Sequence, residues 1–294
     1  MVPPARVWFL DRVKLGLALP QYGPLADASR IASFAAAAER MGFHSLWVGD
    51  RLLTPLAPHD PYPAPRPQPY PPEFTRGLDP LLTLTVAATA TSRVRLSSST
   101  LNAPWHNAVL LARSLTTLDV LSGGRLDVGV GLGWMRDEYE AAGVDWSTRG
   151  ARLDEMLDVW HLLWTENPVS YAGRFFRFPE SVVDMRPVRP GGPPILLAGM
   201  TPPAMERIGR RADGWLMVQG LPAPYEQVLW DTARRAAEAA GRDPDALRRV
   251  RRINRDYPAA VETAGVEEAF VDLTYSTGSV DEALSVAADL AGLL

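Results

Sequence analysis

Cysteine is absent from the 294 residues. Its absence removes disulfides, thiolate zinc sites and cysteine nucleophiles together, and it fits a reducing cytoplasm. Histidine is scarce, at four residues, and no histidine–carboxylate spacing suggests a metal, so none is expected. An excess of positive charge is lacking too. Thirty basic against thirty-four acidic side chains leave a net charge of −4, with no basic stripe to track phosphates, so nucleic acid is not an expected partner. There is no uninterrupted apolar run of about 18 residues, hence no expected membrane span. The opening MVPPARVWFLDRVK lacks the apolar core and small-residue cleavage site of a signal peptide. It reads as an arm, residues 1–13, ahead of the first strand of a cytoplasmic protein.

What is present alternates. LGLAL (15–19), SLWVG (45–49), VRLSSST (94–100), LDVGVG (126–131), PILLAG (194–199), GWLMV (214–218), RVRRIN (249–254) and AFVDLTY (269–275) read as short buried strands. Helical spacing lies between most of them. Residues 27–42 carry Ile31, Phe34, Ala35, Ala38 and Met41 on one face, and Asp79-Pro80 is an N-cap followed by proline at the first helical position. LDEMLDVWHLLW (153–164) aligns Leu153, Met156, Leu157, Trp160, Leu163 and Trp164 in one apolar stripe. Eight strands interleaved with helices over this length predict an α/β fold, a closed (β/α)8 TIM barrel, as a single domain over 1–294. A long proline-rich loop follows strand two, at 55–76, and an irregular insertion at 168–193 separates helix four from strand five. The seventh crossover, between Asn254 and Ala269, is cramped, so its helix must be very short or damaged.

The stretch SGGRLDVGVGLGW (122–134) places Gly129, Gly131 and Gly133 at alternate positions. A dinucleotide fingerprint would need G-x-G-x-x-G opening a helix after a first strand, which this is not. At a barrel strand end, such glycines either let a flat ligand approach or fill the barrel layers with small side chains. Polar groups also gather where other strands empty into loops: Asp50-Arg51 after strand two, Ser97–Thr100 at the end of strand three, and Gly199-Met200-Thr201 after strand five.

Five segments in order then carry a resemblance: LALPQYG (17–23), GFHSLWVGDRLL (42–53), LTTLDVLSGGRLDVGVGLGW (115–134), RGARLDEMLDVWHLLW (149–164) and PPILLAG…RRADGWL (193–216). Together the chain resembles the luciferase-like monooxygenase superfamily, in the branch of oxidoreductases that use the deazaflavin coenzyme F-420. The resemblance implies a cofactor lying flat across the C-terminal mouth of the barrel. It implies Asp50 on the cofactor's polyol or ring region, and Ser99-Thr100 at a bulge with a cis non-proline peptide. Gly131, Gly133 and Trp134 would line the ring pocket. A phosphate loop is implied at Gly199, Met200 and Thr201 with Asp213 and Gly214, and Glu138 with Arg149 as a pair orienting the loop after strand four. It also implies a homodimer through the helices at 80–90 and 107–121.

Two departures bear on the reaction. In the sugar-phosphate and alcohol dehydrogenase members of this superfamily a histidine follows the aspartate after strand two, where this chain has Arg51. The sugar-phosphate enzyme also has a glutamate proton donor where this chain has Trp134. Arginine stays protonated and cannot serve as a base. A fixed cation suits an anionic substrate, or an enolate formed when hydride adds to a conjugated double bond. The expected activity is therefore a coenzyme F-420-dependent reductase of an activated C=C or C=O in a small-molecule substrate, with Arg51 and His106 as catalytic residues. An FMN-dependent two-component monooxygenase is one alternative. A cofactor-binding barrel without turnover is another. His44, His59 and His161 read as structural.

Overall fold

A computed structural model describes residues 13–63, 68–218, 220–254 and 266–292. The expected arm (1–13) falls, except for Val13, outside the described residues. So do 64–67 of the proline-rich loop and 255–265, where the cramped crossover was expected.

The strands β1 (Lys14–Ala18), β2 (Ser45–Val48), β3 (Arg95–Ser98), β4 (Leu126–Val130), β7 (Ile195–Ala198), β8 (Gly214–Val218), β9 (Arg248–Ile253) and β10 (Glu268–Val271) close a parallel barrel in that order. All eight expected strands are present, within a few residues of their expected limits. The barrel closes through β10 on β1, with Leu15 opposite Ala269. The insertion at 168–193 is not wholly irregular. Val169–Ala172 (β5) and Arg177–Ser181 (β6) form an antiparallel hairpin. Glu155 closes its turn by accepting from the backbone N–H groups of Arg174, Phe175 and Phe176.

Helices α1 (Ile31–Arg40), α2 (Pro80–Ala90), α3 (Ala108–Ser122), α4 (Arg136–Ala141), α5 (Arg149–Thr165), α6 (Pro202–Arg211), α7 (Ala223–Ala239) and α8 (Val280–Ala291) surround the strands. Their ends follow local chemistry. Asp79 accepts from Leu82 N at 2.8 Å to start α2, Asn107 caps α3, and α3 stops at Gly123 with φ 67°. The α5 stripe is buried throughout, from Leu153 to Trp164.

Alternation divides each strand between the helical layer and the barrel interior. Leu17, Leu46, Leu96, Val128 and Leu197 face the helices, whereas Trp47, Leu196, Leu216, Val250 and Phe270 fill the barrel. Trp47 and Phe270 stack at 4.3 Å and 8°. Below them the N-terminal end is plugged by charge: Arg95 donates to Asp127, and Arg248 donates to Asp127 at 3.1 Å and Glu268 at 2.8 Å. Burial alone would raise the Asp127 carboxyl; hydrogen bonds from Arg95 and the Arg248 charge outweigh it and hold the group below its ordinary range. A packed interior with a plugged floor leaves the C-terminal mouth for chemistry.

Candidate active site at the barrel mouth

The chain leaves β2 through Gly49 into Asp50 and Arg51, and both side chains turn inward. Asp50 is buried, and its Oδ2 accepts from Asn102 N at 2.9 Å. His106 Nε2 lies 3.5 Å from the same oxygen. Arg51 Nε donates to the Asp50 carbonyl at 3.0 Å, and its Nη1 stands 3.1 Å from Glu138 Oε2. The guanidinium lies over the Trp134 ring at 4.7 Å and near Phe74 at 5.8 Å. Arg51 Nη1, Glu138 Oε2 and His106 Nε2 are all buried without an aligned hydrogen-bond partner among the described residues. Burial pushes the Glu138 carboxyl up to about 7, with the Arg51 charge and the Leu52 backbone N–H acting against it. Glu138 thus changes charge near neutral pH.

The glycine run has local explanations. A Cβ on Gly129 would lie 1.6 Å from the Ser98 carbonyl oxygen, and one on Gly131 would lie 2.5 Å from Thr100 Oγ1. Gly133 turns at φ +67°. The first two glycines therefore make room for the neighbouring end of β3. That end is a bulge. Ser99 N donates to the Val48 carbonyl, Leu101 N to that of Gly129, and the Ser99–Thr100 peptide is cis. Gly131, Gly133, Trp134, Ser99 and Thr100 consequently sit together at the mouth, beside Asp50, Arg51 and His106.

Gly199, Met200 and Thr201 lie at the same end, after β7. Met200 is half exposed, and α6 begins with Pro202 and Pro203, which offer no N–H groups. Asp213 and Gly214 do not join them. They open β8, at the N-terminal end of the barrel, where Asp213 Oδ2 accepts from Ile195 N at 2.8 Å and Gly214 packs under Arg248. Their assignment to a phosphate loop is corrected by the strand direction. The Glu138–Arg149 pair is corrected as well: Glu138 meets Arg51, while Arg149 lies over Trp146 at 3.8 Å.

Three features escape sequence reasoning. The described parts of the proline-rich segment fold over the mouth, bringing Tyr62 and Tyr70 to Trp134 and Phe74 to Tyr275. Arg252 and Asp272, inward-facing on β9 and after β10, form an ion pair that also reaches the Tyr275 hydroxyl at 3.1 Å. Burial raises Tyr275 to about 12. The alternation RVRRI offered a signal for Arg252, since its even positions continue the inward face of Val250. A surface groove of about 400 Å³ lies elsewhere, between α5 and the 190–195 turn, and its charges are already engaged, Arg211 with Asp158 and Asp213 with Ile195 N.

The model of the luciferase-like monooxygenase family matches residues 7–286. A Mycobacterium tuberculosis protein of uncharacterised function is 34% identical over 218 residues, 72% of this chain and 75% of that protein. A phthiodiolone/phenolphthiodiolone dimycocerosates ketoreductase of Mycobacterium bovis is 33% identical over 218 residues, covering 72% of this chain and 57% of the ketoreductase. Among solved structures, a coenzyme F-420-dependent secondary alcohol dehydrogenase bound to an F-420–acetone adduct superposes with a TM-score of 0.75 at 19% identity, over 96% and 98% of the two chains. A type II Baeyer–Villiger monooxygenase of Pseudomonas putida in complex with FMN superposes with a TM-score of 0.65 at 18% identity, over 81% and 66%. These superpositions establish the shared barrel.

Proposed function

Because the chain belongs to the luciferase-like monooxygenase family, whose members are oxidoreductases, we propose that it binds the deazaflavin coenzyme F-420 across its barrel mouth and reduces an activated C=C or C=O bond of a small organic substrate. The observation that carries this reading is the convergence of buried polar groups beneath an aromatic cover at one barrel end, Arg51 beside Glu138 and His106 beside Asp50, whose Nη1, Oε2 and Nε2 atoms make no aligned hydrogen bond among the described residues. Buried polar atoms with poorly aligned hydrogen bonding mark places where a ligand can complete it. The donor set also fits a flat cofactor. Trp134 offers a ring face, Ser99 and Thr100 form a bulge beside Gly131 and Gly133, and the backbone of Gly199, Met200 and Thr201 opens to the same side.

When bound, a reduced deazaflavin supplies hydride. The protein's own residues supply the rest. Arg51, always charged, stabilises the oxygen on which negative charge develops when a conjugated carbonyl is reduced. His106, with Asp50 at 3.5 Å to orient it, holds the proton that completes the reduction. The proline-rich cover keeps water from the reacting atoms. The ketoreductase relative supports a carbonyl substrate.

The FMN-bound neighbour favours a second reading, a flavin monooxygenase on the same barrel. Anaerobic mixing with reduced deazaflavin and a panel of enones and ketones separates the two. Substrate-dependent reoxidation of the deazaflavin supports the reductase. Oxygen consumption with reduced FMN and no anaerobic turnover moves the protein to the monooxygenases, and cofactor binding with no reaction of either kind leaves a binding protein. We further propose a homodimer through α2 and α3, whose surfaces leave Leu82 69%, Leu110 55% and Leu121 52% exposed.

A further inference from the structure

Six aromatic rings and a guanidinium meet over the barrel mouth, and they come from four parts of the chain. Tyr62 and Tyr70 approach Trp134 at 5.6 and 5.3 Å, Phe74 approaches Tyr62 and Tyr22 at 6.1 Å each and Tyr275 at 6.3 Å, and Arg51 lies over Trp134. All these ring pairs are tilted or edge-on, between 52° and 89°, unlike the stacked Trp47–Phe270 pair inside the barrel. The cover is also fastened at both ends. Three consecutive residues of α4 hold its start: Glu138 accepts from Leu52 N at 2.9 Å, Asp137 pairs with His59 at 2.8 Å, and Asp60 accepts from Arg136 N at 2.9 Å. Gln21 holds its end through the Leu78 carbonyl at 2.6 Å and the Leu78 N–H.

We propose that this cover is the substrate wall, and that the site takes a flat, uncharged, conjugated carbonyl compound such as a quinone or a cyclic enone. The proposal rests on the reading above only in placing the substrate at the mouth. Electron-rich tyrosine faces prefer an electron-poor ring stacked parallel to them, and no two of the mouth rings stack in parallel on one another. Charge argues against an anion. Arg51 faces the Glu138 carboxyl at 3.1 Å, Arg252 pairs with Asp272, and Asp50 adds a further buried acid. A sugar phosphate would have to lie beside Asp50 and Asp272, and beside Glu138 once it ionises. A long aliphatic ketone would gain burial but no stacking.

The test uses the full-length protein without added cofactor and three probes: menadione, decan-2-one and glucose 6-phosphate. Calorimetric titration reads binding directly, and the absence of cysteine leaves no thiol for the quinone to alkylate. Menadione is expected to bind at least tenfold more tightly than the other two. Tyr62→Ala, Tyr70→Ala and Phe74→Ala should each weaken it about three- to tenfold, with Phe74→Tyr restoring most of the affinity and thermal melting confirming that each variant folds. Deazaflavin affinity, titrated separately, should stay within about twofold. Preference for decan-2-one or glucose 6-phosphate, or ring substitutions without effect on menadione, would overturn the proposal. Failure of wild-type protein to bind deazaflavin while menadione binding follows the ring substitutions would overturn the functional reading and leave the wall intact.

Discussion

Burial of Glu138 against Arg51 ties one residue to both stability and chemistry. Glu138 ionises at 4.5 when unperturbed and at about 7 in the folded protein. Between those values the folded state keeps a proton that the unfolded chain has released. The contribution to stability is therefore fully present below about pH 4.5 and lost as pH rises through about 7, to an extent on the order of 3 kcal/mol. The stability difference between wild type and Glu138→Gln, from urea unfolding at pH 5 and pH 8, should shift against the wild type at pH 8; a difference independent of pH would contradict this. Glycine makes a second residue-scale contrast. Gly129→Ala places a methyl against the Ser98 carbonyl and should destabilise the barrel by about 3 kcal/mol or more. Gly131→Ala meets the side chain of Thr100, which can rotate, so the fold should survive while deazaflavin affinity falls; equal loss of fold in both would refute the distinction. None of this was legible in the glycine spacing. It marked a special strand end correctly, but the neighbour requiring the space, a bulge of β3, lies some 30 positions away in the chain.

Among the elements, barrel strands were legible because burial on both faces makes short apolar runs between turn residues. The β5–β6 hairpin was hidden among prolines and arginines, although Val169, Tyr171, Phe176 and Phe178 alternate around Gly173. The cover was legible as a loop by its prolines, but nothing local says that Tyr62 and Tyr70 meet Trp134. Its fastening should respond to pH. The hydrogen bond to Asp137 raises the His59 pKa, so that contact is strongest below the ordinary histidine range and weakens as pH rises through the raised value. Hydrogen exchange of the 52–60 backbone should therefore lose protection as pH rises through that raised value, relative to an Asp137→Asn variant, which lacks the carboxylate throughout. Parallel profiles in the two proteins would show that the pair does not fasten the cover.

At the scale of the molecule, the exposed leucines of α2 and α3 are expected to join two copies. Light scattering should report about twice the 32.2 kDa chain mass, and Leu82→Glu with Leu110→Glu should halve it; a wild-type monomer would contradict the homodimer. No helix among the described residues is long and apolar enough to cross a membrane. The family and the barrel were readable from five ordered segments, because a barrel's strands and turns are constrained along its whole length. The end of the barrel on which a residue lies was less readable, and Asp213 and Gly214 were misplaced for that reason: they precede their strand, whereas Asp50 and Thr100 follow theirs. Deazaflavin binding at the barrel mouth is tested most directly by a pair of fluorescence titrations, oxidised deazaflavin and FMN, on wild type and Trp134→Leu. Wild type is expected to bind deazaflavin with micromolar or tighter affinity and FMN more weakly, and the variant is expected to lose deazaflavin affinity markedly. Preference for FMN, or binding that ignores Trp134, would contradict this expectation.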